Sequence, residues 1–155
     1  MKKVFVTRPI LDDGLMLLRN NNILVEISKE IGPLHAEVLC QKAQESDALI
    51  TMLSDRIDRH FIEKNSHLKM ICNYAVGLNN IDLISAQEFG IKIGNTPDVL
   101  TEATAEVALG LLISAARNFK SASVNAMSGE WRSWEPMGFL GHGLKNKKLG
   151  IIGAG

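Results

Sequence analysis

The sequence predicts a doubly wound α/β fold, in which helices cover both faces of a parallel sheet. Short runs rich in Val, Ile and Leu recur through residues 1–93, and segments with helical spacing of apolar residues lie between them. These runs are almost continuously apolar, as is typical of parallel strands buried on both faces. The chain also ends in an apolar run followed by Gly-x-Gly, the opening of a phosphate-binding turn.

Five apolar runs predict the strands of this sheet, and four amphipathic segments predict the helices between them. The strands are expected at residues 4–7, 23–27, 48–53, 68–72 and 91–93. The helices are expected at residues 11–18, 33–39, 57–62 and 81–89. Pro33 suits the start of the second helix, and Ser54 or Asp55 suits the N-cap of the third. The alternating charges of residues 55–59 indicate a solvated helix face.

A single long helix is predicted from about Val99 to Met127. Its middle, residues 103–116, is apolar on all sides, as in helices that are buried between layers or between subunits. We interpret it as the crossover from a first domain, residues 1–97, into a second, residues 98–155.

The last eight residues predict a short buried strand that leads into a tight glycine turn. In a dinucleotide-binding turn the first glycine makes the turn and the second lets a pyrophosphate approach the backbone, the positions of Gly153 and Gly155. The third glycine, the following helix and the acidic residue that holds the ribose are not in the sequence. Because partial matches of this kind are common, an ordinary strand-to-loop turn explains this stretch equally well by itself.

The composition argues against several classes of function. Lys+Arg and Asp+Glu are equal at 17 each, so the formal net charge of zero gives no electrostatic basis for binding nucleic acid or an anionic membrane. The longest apolar run, residues 107–116, is shorter than the roughly 20 residues that span a bilayer. The N-terminus has no signal-peptide pattern. We therefore expect a cytoplasmic protein.

Histidine and cysteine usage predicts neither a metal site nor a catalytic nucleophile. The four histidines are far apart and lack metal-ligand spacing. Cys40 and Cys72 each lie in an apolar run with no histidine suited to activate them, so we expect buried free thiols.

Two loops could bind a ligand, because ligands of doubly wound sheets lie beyond the carboxyl ends of the strands. Leu53 follows the third predicted strand, and Val76 and Gly77 follow the fourth. Backbone N–H groups of the second loop, helped by the N-terminus of the next helix, could bind a carboxylate. Alternatively, Gly77 only provides a turn and the polar residues of 79–82 only cap a helix, which the residues alone favour somewhat.

Two further features in the second half of the chain could contact a ligand. The Thr104 hydroxyl, in the first turn of the long helix, could donate to a phosphate, although an exposed or back-bonded threonine is commoner. Trp131 and Trp134 lie in a loop that ends at Pro136. They either pack locally or project to shape a pocket or a partner surface.

In this order, the features resemble the N-terminal half of the D-isomer-specific 2-hydroxyacid dehydrogenases, and among them the glyoxylate/hydroxypyruvate reductases. Four blocks carry the resemblance over essentially the whole chain. They are Asn73-Tyr74-Ala75-Val76-Gly77-x-x-Asn80-Ile81-Asp82, Asn95-Thr96-Pro97-Asp98-Val99-Leu100-Thr101-Glu102-Ala103-Thr104-Ala105-Glu106, Trp131-x-Ser133-Trp134-x-Pro136 and Leu149-Gly150-Ile151-Ile152-Gly153-Ala154-Gly155. Four blocks in the right order are far more specific than any one alone.

The resemblance implies a flavodoxin-like or Rossmann-like substrate-binding domain over residues 1–97. In that domain the backbone of Val76 and Gly77 would hold the carboxylate of a small 2-keto acid, and the loop at Leu53 would line the same cleft.

For residues 98–155 the resemblance implies the start of a Rossmann cofactor domain that binds NAD or NADP. Thr104 would lie near the cofactor phosphates, and Gly153 and Gly155 would begin the nucleotide site. The long helix and the tryptophan loop would form the arm of a homodimer, with Trp134 reaching toward the partner's active site.

The family's catalytic arginine, glutamate and histidine have no counterpart in these residues. The resemblance therefore implies part of an enzyme that reduces glyoxylate or hydroxypyruvate to the D-2-hydroxy acid with NADH or NADPH. We expect the chain alone to be inactive, and to self-associate through exposed apolar surface. The alternatives are a flavodoxin-like module that binds a carboxylate without chemistry, or a dimerisation domain. The glycine turn favours the enzyme, because neither alternative requires it.

Overall fold

The computed structural model describes residues 1–153 of the protein. The chain divides into two compact units, Met1–Leu100 and Thr101–Gly155. The first unit contains the sheet, and the second contains two helices and a long irregular segment.

The first unit is a five-stranded parallel sheet connected by helices. The strands are β1 (Lys3–Val6), β2 (Leu24–Ile27), β3 (Ala48–Thr51), β4 (Met70–Asn73) and β5 (Lys92–Gly94). The helices are α1 (Asp12–Asn20), α2 (Ala36–Gln44), α3 (Arg59–Lys64) and α4 (Leu83–Glu88). The strand order is β2-β1-β3-β4-β5, with all four pairings parallel. The predicted doubly wound α/β fold is confirmed, including its five strands.

Two clusters of apolar side chains lie on opposite faces of this sheet, because successive residues of a strand point to opposite sides. Phe5 and Leu49 belong to the larger cluster, which includes residues of α2, α3 and α4. Val4 and Val6 belong to the smaller one, with Leu15 of α1. Each fully buried side chain of this size contributes about 2 kcal/mol. The apolar strand residues thus fix both layers of helices.

The second helix begins later than predicted. α2 starts at Ala36, and Pro33 lies three residues before it in the preceding loop. The N-cap, His35, is in an extended conformation and its side chain makes no capping hydrogen bond.

The N-cap of α3 differs from the prediction. Asp58 caps this helix, because its carboxylate accepts a hydrogen bond of 3.0 Å from the N–H of Phe61. Ser54 and Asp55 lie in the preceding turn. Asp55 is buried, with only 2% of its surface exposed. Because α3 begins at Arg59, the prediction of a solvated helix face for residues 55–59 is wrong for Asp55, Arg56 and Asp58.

The two cysteines are free thiols, as predicted, but each is half-buried rather than fully buried. Burial raises the pKa of the Cys72 thiol above its ordinary value of 9.0. Cys72 lies in β4 and Cys40 in α2.

The second unit contains two helices where one was predicted. α5 covers Thr101–Ala116 and α6 covers Phe119–Ser128. Asn118 separates them with a left-handed backbone (φ +56°), a conformation that ends a right-handed helix and that asparagine tolerates better than most residues. No residue of α5 is buried, so the apolar surface predicted to lie between layers or subunits is exposed.

A loop packs closely against the junction of α5 and α6. The side-chain amide of Asn118 donates to the carbonyl oxygen of Leu140 at 2.6 Å, and the N–H of His142 donates to the carbonyl oxygen of Ala116 at 2.6 Å. Between these two contacts, a methyl group added to Gly141 would lie 2.5 Å from the Ala116 oxygen. Only glycine fits this position without moving the backbone.

The strand predicted at the end of the chain is wrong for the residues that the structure describes. Residues 148–153 have no strand assignment, and Leu149, Ile151 and Ile152 are exposed instead of buried. A strand forms only where a neighbouring strand accepts and donates its backbone hydrogen bonds. The described residues of the second unit contain no strand that could pair with this segment.

Within residues 1–153, no helix is both long enough and apolar enough to cross a membrane. The same residues contain no group of three or more His, Cys, Asp or Glu side chains placed to hold a metal ion.

Candidate functional site

The candidate site lies at the carboxyl edge of the central strands. In the observed strand order the chain moves outward from β1 to β2 and then returns to the other side of β1 with β3. Ligands of doubly wound sheets bind outside such a reversal point, at the carboxyl ends of the strands. The loops that leave β1, β3 and β4 therefore form the edge where a ligand is expected.

The loop after β4 presents backbone N–H groups that are free to bind an anion. The preceding N–H groups are used within the fold, since Tyr74 donates to Thr51 at 2.7 Å and Ala75 donates to Asn73 at 2.8 Å. For the N–H groups of Val76 and Gly77, the structure shows no acceptor among residues 1–153. Val76 is 43% exposed, so this segment faces solvent rather than the core. Consecutive free N–H groups in a loop are a general arrangement for binding a carboxylate.

Leu53 lies against this loop, as its position after β3 predicts. A methyl group added to Gly77 would lie 3.8 Å from a terminal carbon of Leu53, which is normal van der Waals contact. The Leu53 side chain is 56% exposed and can therefore cover a ligand bound nearby. The structure brings together three of the predicted site residues, Leu53, Val76 and Gly77.

Asn73 and Asn80 join the two loops through their side-chain amides. The Asn73 amide nitrogen donates to the carbonyl oxygen of Gly77 at 2.8 Å and to the side-chain oxygen of Asn80 at 3.0 Å. The Asn80 amide nitrogen donates to the carbonyl oxygens of Met52 at 3.1 Å and Asp55 at 2.8 Å. These contacts hold the turn containing Leu53 beside the loop containing Gly77.

The buried carboxylate of Asp55 holds the turn after β3 in place through hydrogen bonds. Its carboxylate accepts hydrogen bonds from the Thr7 hydroxyl, from the Met52 N–H at 2.8 Å and from the Arg8 guanidinium at 3.2 Å. The Arg8 guanidinium also donates to the Ser54 hydroxyl at 2.8 Å. The turn is thereby tied to the end of β1, so all three central strands contribute to the edge.

The segment after β5 supports the free N–H groups from the other side. The side-chain amide of Asn95 donates to the carbonyl oxygen of Val76 at 2.8 Å, and the Thr96 N–H donates to the carbonyl oxygen of Ala75 at 2.9 Å. The Ala75 carbonyl belongs to the peptide group of the Val76 N–H, and the Val76 carbonyl to that of the Gly77 N–H. Because both oxygens accept hydrogen bonds, both N–H groups are held in a fixed orientation.

Asp82 has the capping role that was considered for this region. Its carboxylate accepts hydrogen bonds from the Ser85 N–H at 3.0 Å and from the Ser85 hydroxyl at 2.9 Å. These bonds hold the pKa of Asp82 below its ordinary value of 3.8, and the bond from the Ser85 N–H has the larger effect. Asp82 thus caps α4, whereas Asn80 serves the loop, so the capping alternative is correct for only part of residues 79–82.

Four further residues form the frame of the site without having been predicted as site residues. They are Asn73, Asn80, Asp55 and Asn95. For Asn73 and Asn80 a signal was present, because a polar residue at the end of an apolar strand, buried to 1% exposure in the case of Asn73, requires a partner. For Asp55 the partners lie on β1, far away in sequence, and no local pattern indicates them.

The other predicted site residues belong to the second unit. Thr104 lies in the first turn of α5 and is exposed. Trp134 is 77% exposed and lines a groove of about 470 Å³ together with Trp131, so the tryptophans project rather than pack into a core. Gly153 has a left-handed backbone (φ +77°) with open space around it, whereas Gly155 lies outside the described residues.

Comparison with known proteins identifies the family. The family model described as D-isomer specific 2-hydroxyacid dehydrogenase, catalytic domain, matches residues 4–141. The glyoxylate reductase of Thermococcus gammatolerans is 44% identical over an alignment that covers 99% of this chain and 47% of the relative. The glyoxylate reductase of Pyrococcus horikoshii is 43% identical, with the same coverage of both chains. The chain therefore spans about half the length of the curated relatives it matches.

A solved structure from the same family is similar to this chain in both fold and sequence. A protein assigned as an NAD-binding D-isomer specific 2-hydroxyacid dehydrogenase in Polaromonas sp. JS6 66 superposes with a TM-score of 0.91 and 33% identity, over 100% of this chain and 49% of its own. Because the family match extends over most of the chain, it is not limited to one motif. The chain belongs to the D-isomer-specific 2-hydroxyacid dehydrogenase family.

Proposed function

We propose that the chain is part of an oxidoreductase that reduces a small 2-keto acid, of the glyoxylate or hydroxypyruvate type, to the D-2-hydroxy acid with NADH or NADPH. The observation that carries the proposal is the pair of free N–H groups at Val76 and Gly77, on a solvent-facing loop at the carboxyl edge of the sheet. The relatives named glyoxylate reductase support the same substrate class.

In this proposal the first unit binds and orients the substrate. The two N–H groups hold the carboxylate, and Leu53 covers the adjacent carbon, which limits the site to short acids and excludes water. The carbonyl oxygens of Ala75 and Val76 are occupied by Thr96 and Asn95, so the N–H groups do not turn away when the anion leaves. A fixed carboxylate places the neighbouring keto carbon at a defined position, which is the main requirement for transfer of a hydride to it.

The second unit contains the residues that would hold the cofactor. The left-handed backbone of Gly153 and the open space around it fit the first glycine of a phosphate-binding turn, which makes the turn. Thr104 and Gly155 would contribute a hydroxyl and a further N–H. When bound, the nicotinamide supplies the hydride.

We further propose that these 155 residues alone do not catalyse the reduction. Hydride transfer to a keto carbon requires an acid that protonates the oxygen. The side chains that the structure shows bonded to or touching the Val76–Gly77 loop are the amides of Asn73 and Asn95 and the apolar Leu53. The Asp55 carboxylate, on the turn after β3, is buried against Arg8. Adding NADH or NADPH with glyoxylate or hydroxypyruvate should therefore give no turnover above background, and clear turnover would contradict this proposal.

Carboxylate binding itself can be tested on the chain as it is. In a ¹⁵N-labelled sample, glyoxylate should shift the amide signals of Val76 and Gly77, whereas glycolaldehyde, which has the same carbon skeleton without the carboxylate, should not. Shifts that are equal for the two compounds, or that are confined to other residues, would contradict the proposed site.

We also propose that α5 is part of a homodimer interface, with a second copy of the chain as the partner. Four large apolar residues of α5 are more than two-fifths exposed. They are Val107, Leu109, Leu111 and Ile113. Large apolar side chains exposed along a whole helix are typical of a surface that another chain covers. Light scattering should show concentration-dependent association that Leu109→Glu weakens and Leu17→Glu, on the exposed face of α1, does not. A monomer at high concentration would contradict the proposal.

A further inference from the structure

We propose that Asn80 is the positioning residue of the carboxylate site, because it holds the Leu53 turn and the Val76–Gly77 loop in a single arrangement. Asn80 does not itself contact the ligand in this scheme. The inference rests on the proposed function only for the identity of the ligand.

The donor side of the Asn80 amide is used mainly on the turn after β3. Its nitrogen donates to the carbonyl oxygens of Met52 and Asp55, at 3.1 Å and 2.8 Å, and has a longer contact of 3.3 Å with the side-chain oxygen of Asn73. These two oxygens lie on either side of Leu53 and Ser54. One side chain therefore holds both ends of the segment that places Leu53.

The acceptor side of the same amide is used on the other loop. The Asn80 side-chain oxygen accepts from the Asn73 amide at 3.0 Å, and that amide also donates to the carbonyl oxygen of Gly77 at 2.8 Å. Asn73 is held in turn by the Thr51 hydroxyl, which donates to its side-chain oxygen at 3.1 Å. Because an amide offers both donors and an acceptor, it can connect the two loops, which neither a carboxylate nor an apolar side chain can do.

The backbone of Asn80 is anchored independently of its side chain. The Asn80 carbonyl oxygen accepts from the Ile57 N–H at 2.8 Å, and Ile57 pairs with Ile81 as an isolated β-bridge. Replacing the side chain therefore leaves this anchor in place. We expect Asn80→Ala to fold, with the two loops no longer connected to each other.

The neighbouring Asn79 provides a matched control. It is exposed, and the structure shows no hydrogen bond from its side chain to any of residues 1–153. Asn79→Ala removes the same atoms from the adjacent position without breaking the connection.

The test measures glyoxylate affinity by amide shifts, which report only on folded molecules. Asn80→Ala should bind glyoxylate about 10-fold more weakly, as expected when the hydrogen bonds that preorganise a site are lost, and Asn79→Ala should bind as the unmodified chain does. Val4→Ala, in the cluster packed with α1, should lower stability without changing the affinity. Equal affinity in Asn80→Ala and Asn79→Ala would overturn the inference while leaving the proposed carboxylate site intact.

A second measurement needs no ligand and separates the two proposals. In the unmodified chain, a nuclear Overhauser effect should connect the Leu53 methyl groups with Gly77, and Asn80→Ala should lose it. Retention of that signal in Asn80→Ala would overturn the positioning role. The signal could be lost in Asn80→Ala while glyoxylate binds neither to the unmodified chain nor to any variant. In that case the positioning role of Asn80 holds and the proposed function fails.

Discussion

The hydroxyl of Thr7 donates a hydrogen bond to the buried carboxylate of Asp55, although 48 residues separate them in the sequence. The contact joins the end of β1 to the turn after β3, at the reversal point of the sheet. Arg8 and the Met52 N–H complete the set of donors to this carboxylate. A charge with three donors in the interior is a strong constraint on the backbone around it.

Removing this carboxylate should destabilise the first unit. Asp55→Ala leaves the Thr7 hydroxyl without its acceptor and the Arg8 guanidinium without its carboxylate partner, and loss of one partner of a buried pair costs about 3 kcal/mol. Urea denaturation should show this loss in the free energy of unfolding. Asp13→Ala, on the exposed first turn of α1, should cost less than about 1 kcal/mol. Equal costs for the two variants would show that the network does not stabilise the fold.

Two glycines should respond in opposite directions to the same substitution. Gly14 lies within α1 with open space around its Cα, so Gly14→Ala should raise the free energy of unfolding by about 0.5–1 kcal/mol. Gly90 follows α4 with a left-handed backbone (φ +68°), which strains any residue other than glycine. Gly90→Ala should therefore lower the free energy of unfolding by about 1 kcal/mol, even though no atom obstructs the added methyl group. Thermal unfolding of the two variants provides the measurement. Shifts of the same sign would contradict the backbone assignment at one of the two positions.

Gly141→Ala should detach the loop that packs against the junction of α5 and α6. The added methyl group would lie 2.5 Å from the Ala116 oxygen, so the backbone must move and the hydrogen bond from the His142 N–H should break. Amide hydrogen exchange at His142 should become faster. Gly143→Ala has open space and should leave this exchange rate unchanged. Unchanged exchange at His142 in Gly141→Ala would show that the loop does not pack as described.

The ion pairs of Glu26 should make stability depend on pH at the acidic end. The ammonium groups of Lys3 and Lys42, at 2.7 Å and 2.6 Å, hold the pKa of Glu26 below its ordinary value of 4.5. A lowered pKa in the folded state means that the stabilisation is fully present above 4.5 and is lost as the pH falls through the lowered value.

We therefore expect Glu26→Gln to be less stable than the unmodified chain by about 0.5–1 kcal/mol at neutral pH, as for partly exposed ion pairs. The difference should shrink toward zero in acid, because both side chains are then uncharged. Chemical denaturation at a series of pH values measures it. Glu30→Gln, in the loop after β2, gives the background effect of removing one acidic charge. A difference between Glu26→Gln and the unmodified chain that does not change with pH would rule out the ion pairs as its source.

The strands of the first unit could be predicted because their signal is local. Runs such as Val4-Phe5-Val6 are apolar on both faces, and only a parallel sheet covered on both sides buries such a pattern. Leu53 and Gly77 could also be placed at one edge, because the carboxyl ends of parallel strands meet there. That adjacency is a property of the topology and needs no knowledge of side-chain contacts.

The errors in the prediction have non-local causes. Asp55 is a suitable cap by its residue type, but its carboxylate is bound by Thr7 and Arg8, which are distant in the chain, and Asp58 caps α3 instead. Residues 148–152 are as apolar as the true strands, but a strand also requires a neighbour. Asn118 lies in an otherwise continuous helical pattern, and its left-handed conformation goes with the contact to Leu140, 22 residues later. The capping alternative for Asn80 could not be excluded from the sequence for the same reason, since its partners on the turn after β3 cannot be inferred from local spacing.

The central place of β1 has a consequence for biosynthesis. β1 precedes the other described strands in the chain, yet it pairs with both β2 and β3, and β3 begins only at Ala48. At the usual speed of translation, Val4, Phe5 and Val6 remain unpaired for a time on the order of seconds. During that interval the edge of β1 that later pairs with β3 has unpaired backbone groups, which another strand or a chaperone can bind.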